Sequence, residues 1–185
     1  MTGLIILLVA VVLVLLLVGT YNRLIGLRQR ANQAFADIDV QLQQRHDLIP
    51  NLVETVKGYA THEASTLEAV TNARAATSSA HTVEEKVQAE NMLTGALRQL
   101  FAVAEAYPDL KANQNFLSLQ AELADIENKL AAARRFFNGS VGEFNASIQQ
   151  FPAALIAAPF GFAPRTFFDV GEDRAAVTAA PQVKF

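Results

Sequence analysis

The chain has 185 residues, a formal net charge of −3 and no cysteine. The nearly balanced charge gives no electrostatic reason to expect nucleic-acid binding, and the absence of cysteine excludes disulfides, thiolate metal sites, a cysteine nucleophile and a lipid-modified cysteine. A chain of this length suits one domain with an attachment segment, and its abundant Ala, Leu, Gln, Glu and Val favour helices.

Residues 1–21 are predicted to form a transmembrane anchor. Residues 3–18 carry no polar side chain, and residues 19–21 extend this run. At a rise of about 1.5 Å per residue the run spans roughly 28 Å, close to the ~30 Å hydrocarbon core of a bilayer. A cleaved signal peptide is the alternative, but the start Met-Thr-Gly lacks a basic region and Val-Gly-Thr at 18–20 is a poor cleavage site. We therefore expect an uncleaved anchor.

The charges that flank the anchor predict its orientation. No Lys or Arg precedes the apolar run, whereas Arg23, Arg28 and Arg30 follow it closely. Because basic residues favour the cytoplasmic side, we expect a single-pass protein of the cell (inner) membrane with its N-terminus outside and its C-terminal bulk in the cytoplasm. Tyr21 would lie at the level of the lipid headgroups as an interfacial anchor.

Apolar residues after the anchor recur at the three-four spacing of a buried helical stripe. The clearest stripes contain Leu24, Leu27, Ala31, Ala34, Phe35, Ile38 and Leu42 early in the chain, and Phe116, Leu119, Leu123, Ile126, Leu130, Ala133, Phe137, Val141, Phe144, Ile148 and Phe151 late in it. Four helices are predicted at about 22–46, 48–77, 83–106 and 112–151. The predicted fold is therefore all-α, with the transmembrane helix continuing into an antiparallel up-and-down four-helix bundle over residues 22–151.

The connections between these predicted helices contain capping and turn residues. Asp47 is a candidate N-cap, and Pro50 would then lie in the first turn, where its missing N–H has no cost. Thr82 and Glu85 have the spacing of a capping box. Pro108 is expected to end the third helix, because the residue before a proline avoids the helical conformation.

An unusually apolar segment, which we call the strap, follows the predicted bundle at residues 152–168. Four helices return the chain to the side of the bundle where the anchor lies. The strap could pack on the base of the bundle or on a neighbouring subunit, or it could contact the membrane interface. The candidate residues for the second interpretation are Tyr21, Phe160, Phe162, Phe167 and Phe168. Residues 169–185 are expected to form a flexible tail.

Three blocks of the sequence resemble the LemA family. They are YNRLIGLRQRANQAFADIDVQLQQRHDLIPNLVETVKGYATHE, AENMLTGALRQLFAVAEAYPDLKANQNFLSLQAELADIENKLAAARRFFN and IQQFPAALIAAPFGFAPRTFF. The resemblance is collinear over about residues 3–168, and the end beyond Asp169 departs from the shared blocks. It implies a bacterial-type protein with an N-terminal membrane helix and a long four-helix bundle. It implies no reaction, and no catalytic or cofactor residues.

The residues themselves give little reason to expect an enzyme. His46, His62 and His81 do not have the spacing of a metal site. Serines such as Ser78 lack a nucleophile elbow, and no base is placed beside them by spacing. The glycines around residues 139–142 lack the context of a phosphate loop. We therefore expect no catalytic, cofactor-binding or metal-binding residues, no cofactor and no small-molecule substrate.

Polar residues near the predicted turns are candidates for recognition of a partner. The first group surrounds Pro50, at a turn predicted to be membrane-distal, and the second lies in the loop 107–116. The candidate surface contains Arg45, His46, Asn51, Tyr107 and Lys111. The alternative is a purely structural role, in which both groups only cap and shape turns.

The sequence thus predicts a membrane-anchored helical scaffold or interaction protein with membrane lipid as one partner. Long heptad-like faces of the coiled-coil type can pack against copies of themselves, so a homo-oligomer at the cytoplasmic face is expected. The alternative is an adaptor that binds another membrane protein, such as a protease or transporter, through its membrane-distal loops.

Overall fold

The computed structural model describes residues 1–60 and 62–168. Every regular element within these residues is an α-helix, so the described chain is all-α, as predicted. The helices are α1 Thr2–Lys57, α2 Ala64–Ser79, α3 Val83–Ala104, α4 Pro108–Lys111, α5 Gln114–Ser147 and α6 Ala154–Ala157. The predicted flexible tail, residues 169–185, lies outside the described residues.

Helix α1 begins in the apolar run and continues without a break into the first soluble helix, as predicted. It does not end before Asp47, however. It passes through Asp47 and Pro50 and ends at Lys57. The predicted helix reversal at residues 46–48 is therefore wrong, and Asp47 is not an N-cap. Helix α1 is followed by non-helical residues 58–60 and 62–63, which lead to α2.

The remaining helix boundaries follow local signals more closely. Thr82 and Glu85 form the predicted capping box: the Glu85 N–H donates to the Thr82 hydroxyl at 3.2 Å, and the Glu85 carboxylate accepts from the Thr82 N–H at 3.0 Å. Helix α3 ends shortly before Pro108, which begins the one-turn helix α4. The last long helix is shorter than predicted, because it ends at Ser147 rather than continuing to Phe151.

The chain divides into two compact units. Among the described residues, the first comprises Met1–Asp39 and Ala132–Phe167, and the second comprises Val40–Ala131 and Phe168. The first unit is packed around a cluster of buried apolar residues from α1, α5 and the strap. This cluster contains Leu24, Leu27, Phe144, Ile148, Ala153, Ile156, Ala157 and Phe162.

The second unit has its own core, to which α1, α2, α3, α4 and α5 all contribute. Its buried residues include Ile49, Leu52, Val56, Val70, Ala73, Leu93, Leu97, Leu100, Leu110, Phe116 and Leu123. Most positions of the two predicted stripes are buried in one unit or the other. Phe151 is the clear exception, since its side chain is almost fully exposed.

Candidate membrane-interface site

The apolar part of α1 is exposed along its whole length. Its most apolar stretch has no buried residue, and α1 is the one helix among the described residues that is long and apolar enough to cross a membrane. Tyr21 follows this stretch and is itself exposed. From Leu24 onward the same helix has a buried face, so α1 changes within a single turn from exposed on all sides to buried on one side.

The strap folds back to the point where this change occurs. The Tyr21 ring makes edge-to-face contacts with two rings of the strap, Phe160 at 5.4 Å and Phe162 at 5.6 Å between ring centroids. Phe162 also contacts Phe144 of α5, and the Arg28 guanidinium lies 5.2 Å from the centre of its ring. The strap is therefore fixed beside the end of the apolar helix.

Gly161 places the two strap phenylalanines on opposite faces. It adopts a φ of +72°, a backbone conformation that glycine adopts without strain. Around it, the Phe162 N–H donates to the Ala157 carbonyl at 2.8 Å and the Gly161 N–H donates to the Ala158 carbonyl at 3.1 Å. These two bonds have the pattern of a Schellman motif and close the turn that follows α6. Phe162 is turned into the core and Phe160 is turned out.

A side-chain amide holds the far end of the strap. The amide of Asn145 donates to the Arg165 carbonyl and accepts from the Arg165 N–H, both at 2.9 Å. The Arg165 guanidinium reaches α1, where it donates to the Asn32 side chain at 2.6 Å. We call the two bonds between the Asn145 side chain and the Arg165 backbone the Asn145 clamp. It satisfies extended backbone that has no neighbouring strand.

Phe151, the residue before the strap, and three residues of the strap leave large apolar side chains in solvent, and we call these four side chains the outer face. Phe151 is 82% exposed, Leu155 67%, Phe160 60% and Phe167 46%. The inner side of the same segment is buried, including Ile156 and Phe162. One side of the strap thus packs in the first unit, and its opposite side is apolar and exposed. Phe168, also proposed for the membrane interface, is buried.

A small cavity lies between the strap and the end of the apolar helix. Its volume is about 60 Å³. Its polar lining comes from Thr20, Arg23, Ser147 and Gln150, and its apolar lining includes Phe151 and Pro152. Sequence reasoning missed this cavity because it depends on where the strap folds.

In the second unit, Arg45 belongs to a buried ion pair. Its guanidinium lies 2.8 Å from the Glu90 carboxylate, and the two side chains are 6% and 2% exposed. It also donates to Thr94 at 3.1 Å and lies 3.2 Å from the partly exposed Glu127. Arg45 therefore has no surface to offer a partner, and it neutralises a carboxylate that would be costly to bury alone.

His46 joins α1 to the last turns of α2. Ser78 Oγ lies 2.8 Å from His46 Nε2, and Asp47 Oδ1 lies 3.3 Å from His46 Nδ1. These groups have the composition of a hydrolase triad, which sequence reasoning missed because no spacing links residues 46 and 78. Ser78 lies in the last turn of α2, however, where free backbone groups are carbonyls rather than the N–H donors of an oxyanion hole. Arg74 Nη2 also lies 3.5 Å from His46 Nδ1, the atom that bonds the carboxylate in a triad.

Comparison with known proteins shows which family the chain belongs to. A model described as the LemA family matches residues 34–185. The chain belongs to the LemA family. This confirms the resemblance seen in the sequence, and it corrects the expectation that residues beyond Asp169 depart from the family's shared blocks.

Two curated proteins are similar to this LemA-family chain. It is 23% identical over 174 residues to the magnetosome protein MamQ of Magnetospirillum gryphiswaldense, an alignment that covers 80% of this chain and 64% of the relative. It is 28% identical over 145 residues to protein LemA of Metamycoplasma hominis, covering 76% of this chain and 64% of that protein. The chain spans less than two thirds of the length of the curated relatives it matches.

The other candidate recognition residues of the LemA-family chain do not form one surface. The Tyr107 hydroxyl donates to Glu63 at 3.3 Å, just before α2, whereas His46 contacts the opposite end of the same helix. Partial desolvation, followed by the charge of Glu63, raises the pKa of Tyr107. Lys111 is exposed and pairs with Glu105. Asn51 is exposed on α1.

Residues 58–60 and 62–63, which follow α1, lie beside residues 105–113, which contain α4. Asn113 donates to the Tyr59 hydroxyl at 2.9 Å, and Tyr107 bonds Glu63 as described. The two loops are thus tied into one polar surface in which Tyr59 is exposed. The sequence proposed the loop 107–116 together with the turn around Pro50 as a partner surface, whereas the contacts of this loop are with Tyr59 and Glu63.

Proposed function

We propose that this LemA-family chain is a membrane-anchored helical scaffold without catalytic activity that assembles with copies of itself at the cytoplasmic face of the cell membrane. One span, with the N-terminus outside, holds an up-and-down arrangement of four long helices. The observation that carries the proposal is the exposed apolar stretch of α1, which continues without a break into the helix that forms the core of the first unit.

Lipid is the natural cover for that stretch. A helix satisfies its own backbone hydrogen bonds, so it can cross a bilayer, whereas an exposed apolar surface of this size is unfavourable in water. The three arginines that follow it, at positions 23, 28 and 30, favour the cytoplasmic side.

Self-assembly is supported by apolar surface that lies outside the span and the strap. Phe136 on α5 is 55% exposed, although its neighbour Phe137 is fully buried. A second copy of the chain would cover the Phe136 ring. Aromatic side chains at the centre of an interface commonly contribute much of its binding energy.

Introduced cysteines test both topology and assembly, because the chain has no cysteine of its own. A cysteine at position 2 should react with a membrane-impermeant maleimide added to intact cells, and one at the exposed His62 should react only after lysis. The opposite pattern would overturn the proposed orientation.

In isolated membranes, Phe136→Cys should form a disulfide-linked dimer more readily than Gln33→Cys, which is exposed on α1. Equal yields, or a monomer by electron microscopy in lipid discs, would contradict self-assembly.

A second candidate function is that of an adaptor for another membrane protein. It is favoured by the hydrogen bonds that join Tyr59 and Glu63 to residues 105–113, a region in which Tyr59 and Lys111 are exposed. A photo-crosslinking residue at Lys111 should then capture a discrete membrane protein, whereas the same residue at Gln33 should not. If neither position captures a protein, the adaptor role is rejected.

A further inference from the structure

We infer that the cavity between the end of the membrane span and the strap binds the phosphate group of an anionic phospholipid, with the outer face of the strap resting on the same leaflet. The inference rests on the proposed membrane anchoring and names the ligand of that interface.

The size and lining of the cavity suit a phosphate. One water occupies about 10–15 Å³ of such space, so a cavity of about 60 Å³ has room for a group of roughly four or five heavy atoms. Arg23 supplies a guanidinium, and the Ser147 hydroxyl and the Gln150 amide supply further donors. The Thr20 hydroxyl donates to the Leu16 carbonyl at 2.7 Å and only lines the cavity. Arginine binds phosphate oxygens through paired N–H donors more specifically than a point charge does.

Arg23 is available for such a ligand. It is exposed, and within residues 1–60 and 62–168 it has no ion pair or hydrogen-bond partner. The neighbouring arginines on α1 are engaged: Arg30 pairs with Glu143 at 2.9 Å, and Arg28 lies over the Phe162 ring. An unpaired guanidinium in a cavity lined by further donors has the features of an anion site.

The position of the cavity relative to the bilayer indicates which anion it would bind. Thr20 closes the apolar run and also lines the cavity, and Arg23 lies one turn further along α1. With the apolar run in the bilayer, a rise of about 4.5 Å over the three residues from Thr20 to Arg23 places the Arg23 side chain at the level of the lipid phosphates. A free phosphate in solution has no such reason to meet this position.

The charge of the first unit favours an anionic lipid. The whole chain has a net charge of −3, but the residues of this unit carry six basic and three acidic side chains. The basic residues are Arg23, Arg28, Arg30, Arg134, Arg135 and Arg165, and the acidic ones are Asp37, Asp39 and Glu143. The first unit therefore has a local excess of positive charge, which attracts anionic headgroups.

Phe151 connects the cavity to the outer face, because it belongs to both. A lipid whose phosphate is bound at Arg23 would lay its glycerol and first acyl carbons on the Phe151 ring. The amphipathic character of the strap, with Ile156 and Phe162 inward and Leu155 and Phe160 outward, is that of a segment lying in the interface plane.

Native mass spectrometry of the full-length protein in neutral detergent tests the inference, with phosphatidylglycerol and phosphatidylcholine as probes. The wild-type protein should retain phosphatidylglycerol, and Arg23→Gln should weaken its binding about tenfold. Arg30→Gln removes an equal charge from the same helix and should leave binding within about twofold. An equal loss in both variants, or no preference for phosphatidylglycerol over phosphatidylcholine, would overturn the inference.

Three further measurements test the acyl contact, the possibility of a site for free phosphate, and the membrane anchoring. Phe151→Ser should weaken phosphatidylglycerol binding, whereas Met92→Ser, an exposed apolar residue of α3, should not. If both variants bind like the wild type, the acyl contact is wrong. Inorganic phosphate at millimolar concentration should not displace the lipid, and displacement would show a site for free phosphate instead. Alkaline carbonate extraction reports separately on anchoring: a protein that stays in the membrane but binds no phosphatidylglycerol refutes only this inference, whereas a protein that is extracted refutes the proposed function.

Discussion

The Nε atom of Arg74 donates a hydrogen bond of 3.1 Å to the backbone carbonyl of His46. In an α-helix that carbonyl accepts from the N–H of residue 50, but residue 50 is proline and has no N–H. Arg74, on α2, thus replaces the bond that Pro50 removes from α1. This contact is a physical reason for the continuation of α1 through a proline.

Pro50→Ala is expected to stabilise the second unit. An interior proline costs a helix about 3 kcal/mol relative to alanine, and part of that cost is offset here by Arg74. We expect the free energy of unfolding to rise by about 1–3 kcal/mol, because the His46 carbonyl regains its helical donor. Denaturant titration followed by circular dichroism measures the change in the full-length protein. A fall in stability would show that the Pro50 conformation is required.

Arg74→Met should lower the free energy of unfolding by about 1–3 kcal/mol, because it leaves a carbonyl without a donor. In the Pro50→Ala background that carbonyl has its helical donor, so Arg74→Met should cost less there. A coupling energy of at least ~0.5 kcal/mol in this double-mutant cycle is expected. Strictly additive effects would mean that Arg74 does not compensate for the proline.

Arg45→Met should be strongly destabilising. It leaves the buried Glu90 carboxylate without its cation, which costs about 3–5 kcal/mol in comparable buried pairs. The paired variant Arg45→Met with Glu90→Leu removes both charges and should recover most of this loss. The thermal midpoints of the three proteins compare these effects. If Arg45→Met alone is as stable as the wild type, the ion pair has no structural role.

Asn145→Ala should release the end of the strap. It removes two bonds to the Arg165 backbone, each contributing about 0.5–1.5 kcal/mol, so the Arg165 amide should exchange its hydrogen roughly 5- to 150-fold faster. Asn32→Ala loses a bond to the Arg165 side chain and one to Gln29, but none to the Arg165 backbone, so it should accelerate this exchange less. Equal exchange rates in the two variants would contradict the role assigned to the Asn145 clamp.

The start of α3 should lose stability in acid. Hydrogen bonds from the His81 and Thr82 N–H groups lower the pKa of Glu85 below its ordinary value of 4.5. The unfolded chain therefore binds this proton first, so the contribution of Glu85 is present above pH 4.5 and is lost as the pH falls through the lower folded-state value. Glu85→Gln keeps an acceptor oxygen but cannot titrate. Its thermal midpoint should depend less on pH between 3 and 6 than that of the wild type.

Glu84→Gln is the matched control for this pH dependence. Glu84 lies in the same first turn and is exposed, but within the described residues it accepts no bond from residues 81 and 82. Its pH profile should follow the wild type. If both variants flatten the profile equally, the effect comes from the charge of the first turn rather than from the capping box.

The parts of the fold that depend on neighbours in sequence were predictable. The capping box of Thr82 and Glu85 involves residues three apart, and the buried stripe of α1 has a period set by the helix itself. The prediction of a helix reversal at Pro50 was wrong because the outcome there depends on a residue that is distant in sequence. Local preference favours a break at the proline, and the compensation comes from Arg74, a residue 28 positions away from His46.

The candidate site was predictable only in part. The apolar composition of residues 152–168 indicated a strap, and Tyr21 was expected at the interface. The sequence could not show which phenylalanines point outward, because Gly161 turns Phe160 and Phe162 to opposite faces. It also could not show that Arg45 is buried, since its partner Glu90 lies on α3.

The Asn145 clamp has one further consequence. Its two backbone bonds join neutral groups, so salt screens them far less than it screens the charges of a lipid surface. The strap is therefore ordered before it meets any surface, and contact requires no folding of the segment. A segment ordered in this way loses little conformational entropy on binding. In the lipid contact that we propose, raising the ionic strength should weaken the attraction between the arginines and the headgroups while leaving the shape of the strap intact.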